Sequence, residues 1–480
     1  MTRLSLASLS AAKAQRPTYD RAKVTPGIVH LGIGAFHRAH QAVVVDDLLS
    51  ADPSWGVVGA SLRRPDTSAA LTPQDGLYTL LTRSGAGTQA RIIGSVLEII
   101  DAPQRKEALL ARMADPMTRI VSLTVTEKGY GYNAATGHLD EANPDIASDL
   151  VSPRTPATAA GLIVEALRRR CEAGAAPVTV LSCDNLPHNG RVTAQVVTDF
   201  AEAVDTALGK WIAANVAFPA TMIDRIVPAT TDADRAEALA LTGLEDAWPV
   251  VGEPFLQWVI EDRFVGPRPP FDLGGAQFVG DVAPYETMKL RMLNGSHSMM
   301  AYLGYLAGYE FVSQVIGDPA FRDFIQAAWR EEIAPTLTMP SNVSSDYARA
   351  LLERFSNPAL KHRTYQIAMD GSQKLPQRLV GTVADRLAKG QPVERLALGI
   401  AAWMVFAAGT DLEGKPIVVQ DPMTDELKRA GRGDAVSNFL ALRRVFSAEV
   451  AESMHFREAV TRQYRALKEM GPVEAAKRLG

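Results

Sequence analysis

The sequence predicts an α/β fold, with a doubly wound parallel sheet in an N-terminal domain over residues 1–280 and a mainly α-helical C-terminal domain over residues 281–480. Three observations predict this fold. In the first half, short segments rich in β-branched residues alternate with helical stretches, which is typical of a parallel sheet covered by helices. A glycine pair ends the first of these segments, as in Rossmann-like domains. Beyond Asp281, helical patterns separated by turns containing Pro and Gly predominate.

The first half contains four segments that are predicted to be buried parallel strands. They are Gly27–Gly32, Trp55–Ser61, Arg119–Val125 and Pro177–Ser182, and each is short, apolar and followed by polar or glycine residues. The stretch Pro156–Ala173 before the last strand has a helical pattern. Strands and helices in this order predict a doubly wound sheet.

The second half is predicted to consist mainly of helices. The longest apolar run, Leu396–Gly409, is shorter than the roughly 20 residues that cross a bilayer, so it predicts a buried helix. The predicted helices are Pro284–Ala307, Pro319–Glu332, Ser345–Phe355, Glu394–Ala408 and Arg457–Met470.

The composition limits the class of protein. Of 480 residues, 47% are hydrophobic and 22% charged, as in soluble globular proteins, and the formal net charge is −4. Without a basic surplus we expect neither a nucleic-acid nor a membrane partner, and the substrate is expected to be a small molecule. Two cysteines without C-x-x-C spacing, and no signal-peptide pattern, predict a reducing compartment and a cytoplasmic location. No heptad or long apolar seam requires a partner chain, and a monomer is expected only from the family resemblance described below.

The glycine pair Gly32-Ile33-Gly34 lies where the first strand ends and a helix is expected to begin. Glycine lets the backbone approach a pyrophosphate, and a helix N-terminus offers free N–H groups. The third glycine of the usual G-x-G-x-x-G pattern is replaced by His37, so these residues alone leave a dinucleotide site and an ordinary tight turn equally open. Asp66, after the second strand, is the candidate acid for the adenosine ribose, while Arg63 and Arg64 leave room for a 2′-phosphate.

A polar set on the first helix of the second domain is the most informative feature. At about 100° per residue, Glu286, Asn294 and His297 fall on the same side of the helix as Lys289. A solvated face would look the same. Oxidation of a secondary alcohol without a metal, however, needs a base for the hydroxyl proton, and a buried lysine can serve. Amide and imidazole groups can then donate hydrogen bonds to the reacting oxygen.

Two further polar groups follow predicted parallel strands. Asn185 comes after the strand that ends near Ser182, and Glu127 comes after the strand that ends near Val125. Ligand sites of open α/β sheets collect at this edge, so both side chains are candidates for the site. His37 and His40 lie three residues apart but lack a nearby third ligand, so capping or packing roles are favoured over a metal site.

Seven segments together resemble the mannitol dehydrogenase family, the polyol-specific long-chain dehydrogenases and their hexuronate-reducing relatives. The resemblance extends from Gly27 to at least Arg378, and the K-x-x-x-x-N-x-x-H spacing of the family is met in full. The segments are GIGAFHRAHQ (32–41), SLTVTEKGY (122–130), SCDNLPHNG (182–190), MIDRIVP (222–228), EPFLQWVIED (253–262), KLRMLNGSH (289–297) and DGSQK (370–374).

The resemblance implies a role for each matching residue. Lys289 would be the general base, Asn185 and Asn294 would hold the reacting oxygen, and His297 would orient the substrate. Glu286 matches the proton-path glutamate of the family. The implied cofactor is NAD(H), and no metal is implied. The residues expected at the cofactor are Gly32, Gly34, Phe36, Asp66 and Glu127, and those expected at the substrate are Asp224, Lys374 and Arg363.

One departure from the family pattern bears on the substrate. Mannitol-oxidising members carry an arginine eight residues before the lysine of D-G-S-x-K, where this chain has Gln366. Lys361, His362 and Arg363 stand just upstream, and the segment is more similar to fructuronate reductase. A cation near the far end of a hexuronate would bind its carboxylate, although a solvated helix end would look the same. We therefore expect D-mannonate and D-fructuronate as the leading pair, with D-mannitol and D-fructose as the alternative.

Other functions stay open at this point. A sugar or nucleotide sensor without catalysis would keep the pocket but lose the base. A metal-dependent polyol dehydrogenase and a sugar-phosphate dehydrogenase of the same superfamily are the other enzyme alternatives.

Overall fold

The computed structural model describes residues 2–480. The chain forms two compact units, of which the first ends at Ala283 and the second is Pro284–Gly480. All strands of the described residues lie in the first unit. They are β1 Pro26–Leu31, β2 Gly56–Ser61, β3 Tyr78–Ser84, β4 Gly87–Ile93, β5 Val96–Asp101, β6 Ile120–Leu123, β7 Tyr132–Asn133, β8 His138–Leu139, β9 Thr179–Ser182, β10 Thr221–Asp224, β11 Val250–Gly252, β12 Gln257–Glu261 and β13 Gln277–Val279.

The central sheet of the first unit has five parallel strands in the order β5-β2-β1-β6-β9. The order reverses at β1, which is the Rossmann arrangement, and the four predicted strands are confirmed as β1, β2, β6 and β9. The sequence patterns missed β5. They also missed two smaller sheets, β11-β3-β4 and β10-β12-β13, and the short hairpin of β7 and β8.

The helices of the first unit cover the sheet, while the second unit contains only helices among its regular elements. In the first unit they are α1 Ala35–Ala39, α2 Gln41–Leu48, α3 Asp66–Leu71, α4 Ala102–Ala114, α5 Pro144–Val151, α6 Ala159–Glu172, α7 Asn189–Val204, α8 Thr206–Asn215 and α9 Asp232–Thr242. α10 Ala283–Met288 begins at the boundary, and the second unit continues with α11 Ser296–Leu306, α12 Val312–Gly317, α13 Pro319–Ala327, α14 Ser341–Phe355, α15 Thr364–Ala368, α16 Gly371–Leu375, α17 Gly381–Leu387, α18 Glu394–Ala407, α19 Thr424–Ala430, α20 Ala435–Leu440, α21 Ala448–Glu452 and α22 Met454–Lys477.

Alternate residues of the central strands enter different cores, because successive side chains of a strand point to opposite faces. In β1, Ile28 belongs to one core and Val29 to the other; Ile120 and Val121 of β6 divide in the same way. Both faces of the sheet are thus covered, and the continuous apolar pattern of these strands follows from that burial.

The second unit is built around α18. Its residues from Leu396 to Ala407 are all buried, which confirms the prediction of a buried helix from the longest apolar run. α11, α22 and the helices near them pack against it. Within residues 2–480, no helix combines the length and the apolar character that crossing a membrane requires.

Two buried histidines stack under the first turn after β1. The rings of His30 and His37 lie 3.5 Å apart between centroids, and the His30 nitrogens hydrogen-bond the hydroxyls of Ser122 at 2.8 Å and Thr124 at 2.9 Å. Burial lowers the pKa of His30 to about 3 and the pKa of His37 well below its usual 6.5. Both rings are therefore neutral in the folded protein at neutral pH.

The free energy of unfolding is expected to fall as the pH drops below about 6.5. Below that pH the unfolded chain binds a proton at each of these histidines while the folded chain does not, so each contributes a slope of about 1.4 kcal/mol per pH unit. Urea unfolding at several pH values between 5 and 7.5 measures the slope. His37→Phe should make it shallower by about that amount, because phenylalanine binds no proton in the unfolded chain. Equal slopes for wild type and His37→Phe would contradict the assignment.

Candidate active site

The first unit contains a cavity of about 570 Å³ at the carboxyl ends of β1, β6 and β9. It lies where the strand order reverses, which is the usual ligand position in open α/β sheets. Five residues expected from the sequence line it together: Gly32, Gly34, Phe36, Glu127 and Asn185. Three separate segments of the chain therefore meet at one place.

Gly32 and Gly34 shape the floor of this cavity in different ways. Gly32 has a φ of 90°, and a Cβ atom there would lie 2.1 Å from the carbonyl oxygen of Thr124. A Cβ on Gly34 would meet no atom closer than the Gly32 oxygen at 3.9 Å, so it would only fill the cavity. Gly32 is thus required by the fold, while Gly34 leaves space for a ligand. An open cradle of this kind fits the pyrophosphate of a dinucleotide.

Two consecutive hydrogen bonds connect the turn at Gly32 to Thr124 and His30. The Thr124 hydroxyl donates to the carbonyl oxygen of Gly32 at 2.9 Å, and His30 contacts the same hydroxyl. Thr124 lines the cavity but was not predicted at the site, although it lies inside one of the matching segments. Its position directly after β6, beside the glycine turn, was the available signal.

Asp184 joins the two loops that carry Glu127 and Asn185. Its carboxylate accepts hydrogen bonds from the backbone N–H groups of Val125 at 2.8 Å and Thr126 at 3.1 Å. The Tyr130 hydroxyl donates to it at 2.8 Å. Burial raises the pKa of Asp184, and these three donors counteract that rise. Asp184 lies inside the matching segment 182–190, but its type and spacing alone predicted no role for it.

A second cavity of about 380 Å³ extends from Gly32 toward the end of β2, where the adenosine half of a dinucleotide is expected. Arg63 and Lys128 are among its lining residues. Asp66, the expected ribose acid, is the exposed first residue of α3 and is not among the lining residues of either cavity within the described chain. The structure therefore does not bring Asp66 together with the glycines, and its role stays a prediction.

The helix that carries Lys289 is not a continuous α-helix. Between α10 and α11, residues Lys289–Gly295 form a π-helix, in which hydrogen bonds join residues five apart. In an α-helix Lys289 and Asn294 would differ by about 140°. In the π-helix, residues five apart are separated by about one turn. The prediction of a continuous α-helix here is therefore wrong. In the π-helix the Lys289 amine and the Asn294 carboxamide lie closer to one face than they would in an α-helix.

Burial and unused hydrogen-bonding groups characterise this helix. Lys289 is 9% exposed and His297 is 5% exposed. His297 Nε2 has no hydrogen-bond partner within residues 2–480. Burial lowers the pKa of His297 well below its usual value, so the ring is neutral. The Asn294 side chain is half-buried and is likewise not hydrogen-bonded within this range, and Glu286 is half-buried on α10.

The neighbours of His297 come from two other segments of the second unit. Its ring centroid lies 4.6 Å from that of Phe355 and 5.0 Å from that of His362, whose ring is nearly perpendicular. His362 Nδ1 is buried and has no hydrogen-bond partner among residues 2–480, and burial lowers the pKa of His362 to about 4. Two neutral imidazoles with unused nitrogens thus lie next to each other.

The expected substrate-binding residues differ in their surroundings. The Lys374 amine donates to the carbonyl oxygens of Met369 at 2.6 Å and Ile367 at 3.3 Å, and burial lowers its pKa. Arg363 is exposed and forms an ion pair of 3.3 Å with Glu310. Asp224 is buried at the end of β10.

Residues 2–480 contain no group of three or more His, Cys, Asp or Glu side chains arranged to hold a metal ion. His37 stacks on His30, and His40 Nδ1 contacts the Phe36 carbonyl oxygen. Both histidines therefore have the packing surroundings that the sequence favoured.

Comparison with protein families gives matches over most of the chain. The mannitol dehydrogenase Rossmann domain matches residues 26–273, and the mannitol dehydrogenase C-terminal domain matches residues 281–468. The chain belongs to the mannitol dehydrogenase family. The resemblance and the fold class inferred from the sequence are thereby confirmed.

Relatives of this mannitol dehydrogenase family member have different names. The chain is 47% identical to D-mannonate oxidoreductase of Escherichia coli K12, with 96% of each chain covered. It is 42% identical to mannitol 2-dehydrogenase of Pyrenophora tritici-repentis, over 95% of this chain and 82% of the relative. Among solved structures, it is similar to Pseudomonas fluorescens mannitol 2-dehydrogenase in a ternary complex with NAD and D-mannitol, with a TM-score of 0.86, 38% identity and coverage of 100% and 99%. The named relatives thus include both polyol and sugar-acid enzymes.

Two glycine variants test the cradle. Gly32→Ala should lower the free energy of unfolding by about 1–3 kcal/mol, because alanine is strained at that positive φ and approaches the Thr124 carbonyl. Gly34→Ala should leave stability unchanged but weaken NADH binding, because its methyl group projects into the open space. Thermal unfolding and NADH fluorescence titration measure the two effects. NADH binding by Gly34→Ala as tight as that of wild type would contradict the cradle.

Proposed function

We propose that this protein is an NAD(H)-dependent oxidoreductase that interconverts a secondary alcohol of a linear polyol or sugar acid with the corresponding ketone. The family match, the names of the relatives and the open cradle at Gly32 and Gly34 support this function. Bound NAD would supply the hydride acceptor for the alcohol. The sensor alternative has no support, because the relatives described above are named as oxidoreductases and dehydrogenases.

The observation that carries this proposal is the π-helical turn between Lys289 and Asn294. It puts an amine and a carboxamide about one turn apart on a buried helix that also carries the neutral His297. A buried lysine has a reduced cost of giving up its proton, which suits a base that accepts a hydroxyl proton near neutral pH.

We assign the following roles on this basis and on the family pattern. Lys289 accepts the proton of the hydroxyl, and Asn294 donates a hydrogen bond to the oxygen as its charge changes. Asn185 is proposed for the same donation. The unused Nε2 of His297 orients a substrate hydroxyl. Glu286, three residues before the lysine, carries the proton onward.

Other residues are proposed for binding. Gly32 and Gly34 accommodate the pyrophosphate, while Phe36 and Glu127 line the same cavity. Asp66 stays the predicted ribose acid, and Asp224, Lys374 and Arg363 stay predicted substrate contacts. The cytoplasmic location and the monomeric state also stay predictions.

For the substrate we propose D-mannonate and D-fructuronate. The 47% identical relative is named D-mannonate oxidoreductase, and Gln366 stands where mannitol-oxidising members carry arginine. D-mannitol and D-fructose are the second candidate pair, favoured by the solved relative that holds D-mannitol.

Lys289→Ala is expected to lower kcat by about 10²–10⁴-fold, as loss of a general base does. Stopped-flow measurement of NADH consumption at neutral pH gives the rate. Lys389→Ala, an exposed lysine of the same unit, is the matched control and should keep the wild-type rate. Turnover of Lys289→Ala close to wild type would contradict the assignment.

Steady-state kinetics with NADH and each ketose test the substrate. D-Fructuronate is expected to give the higher kcat/KM, because its carboxylate can form a charge-assisted contact that D-fructose lacks. A higher kcat/KM for D-fructose would reverse the order of the two candidates. Unchanged activity after dialysis against EDTA would separate both from a metal-dependent enzyme, and phosphorylated ketoses test the sugar-phosphate alternative.

A further inference from the structure

Arg378 lies in the second of two π-helical segments that pack against each other in the second unit. Pro376–Val380 is π-helical between α16 and α17, and it packs on the π-helix Lys289–Gly295. The approach is close, because a Cβ on Gly295 would lie 2.9 Å from the Arg378 carbonyl oxygen. Arg378 is therefore fixed beside the helix that carries the proposed catalytic residues.

The guanidinium of Arg378 has few hydrogen-bond partners. An arginine has five N–H donors, yet the only hydrogen bond of Arg378 within residues 2–480 goes to the Ser298 hydroxyl at 3.3 Å. It forms no ion pair with a carboxylate in this range. Burial lowers the pKa of Arg378, so the charged form is incompletely compensated.

Neighbouring arginines of the same unit show the contrast. Arg386, two turns further on, donates to the carbonyl oxygens of Pro392 at 2.6 Å and Glu332 at 3.0 Å. Arg395 pairs with the Glu331 carboxylate at 2.8 Å. Arg378 is half-buried, and none of its nitrogen atoms is both fully buried and without a hydrogen-bond partner, so its unused donors lie where an external acceptor can reach them.

Two carboxylates, those of Asp370 and Asp421, act on the nearby Lys374, but neither forms an ion pair with Arg378 within residues 2–480. Lys374 lies one turn before Arg378. Burial lowers the pKa of Lys374 most, and the positive charge of Arg378 lowers it further. His297 is close enough for Arg378 to help lower its pKa. The unused Nδ1 of His362 lies next to His297. This cluster of donors and positive charge fits a carboxylate.

We propose that Arg378 binds the carboxylate of the substrate and thereby gives this enzyme its preference for a sugar acid over a neutral polyol. The inference rests on the proposed sugar-acid function. Arg363, the cation expected from the sequence, already pairs with Glu310 at the surface and is the rival assignment.

Substitutions of Arg378 by glutamine and lysine, with a control at Arg349, test the proposal on the full chain with NADH. Arg378→Gln is expected to lower kcat/KM for D-fructuronate by about 10- to 100-fold, since a charge-assisted hydrogen-bonded contact is lost. kcat/KM for D-fructose should change by less than about threefold, because the neutral ketose makes no such contact. Arg349→Gln, an exposed arginine paired with Asp346, is the control and should change neither value. Arg378→Lys keeps the charge without the bidentate fork and should fall between wild type and Arg378→Gln.

Two results would overturn the assignment. One is an equal loss for both ketoses in correctly folded Arg378→Gln, which would indicate that the arginine only positions the helix. The other is a selective loss of D-fructuronate activity in Arg363→Gln while Arg378→Gln keeps it. Thermal unfolding of each variant identifies a folding defect, and in that case Arg378→Lys provides the test.

Failure of the proposed substrate gives a different pattern. If the wild-type enzyme reduces D-fructose but not D-fructuronate, the proposed sugar-acid function fails. Calorimetric titration of the NADH complex with D-mannonate and with D-mannitol then tests Arg378 separately. Weaker binding of D-mannonate alone in Arg378→Gln would still support a carboxylate contact, and unchanged binding would refute it.

Discussion

The π-helical turn from Lys289 to Gly295 is the constraint on which the chemistry of the second unit depends. A π-helix is rarely stable by itself, and it persists here between two α-helical segments whose buried faces are held by packing. The turn changes the phase of the helix, so that Lys289 and Asn294 approach one face while α11 still buries its apolar side chains on the core. The same turn includes Gly295, whose missing side chain lets a second π-helical segment pack closely.

In the first unit, hydrogen bonds fix the position of the loops that surround the cavity at the carboxyl ends of β1, β6 and β9. The glycine turn is held by Thr124 and His30, and the loops after β6 and β9 are tied together by Asp184. These contacts are made by polar side chains, of which His30 is buried and Thr124 and Asp184 are half-buried, rather than by apolar packing alone. Space for a ligand is thereby kept open beside Gly34, where a Cβ atom would meet no atom closer than 3.9 Å.

Much of the fold was predictable from the sequence, because strands of a sheet that is covered on both faces consist of short, continuous apolar runs. The strands β1, β2, β6 and β9 read as short apolar runs, and α18 reads as a long one. The strand β5 and the β3–β4 hairpin were missed, because polar and charged residues such as Glu98 and Arg91 interrupt their patterns. These strands depend on partners elsewhere in the chain, which a local pattern does not contain.

The candidate site was predictable where residues of matching types follow strands or share a helix, as for Gly32, Asn185 and Lys289. The π-helix was not predictable from apolar periodicity, because its hydrogen bonds differ from those of an α-helix by one residue only. The pairing of Arg363 with Glu310 joins positions far apart in the chain, and the partly unpaired state of Arg378 is a property of the folded surroundings. No single-sequence pattern encodes either.

The π-helix Lys289–Gly295 holds about one residue more per turn than the α-helices on either side, and this affects which sequence changes the segment can accept. Substitutions in the segment between Lys289 and Asn294 can be absorbed one at a time, as long as the apolar positions stay apolar. Because a π-helical turn holds about one residue more than an α-helical turn, removal of a single residue would let the backbone relax to ordinary α-helical pairing while α10 and α11 keep nearly their present phase. The extra residue is thus accommodated within the turn itself, and the helices on either side can keep their packing on the core.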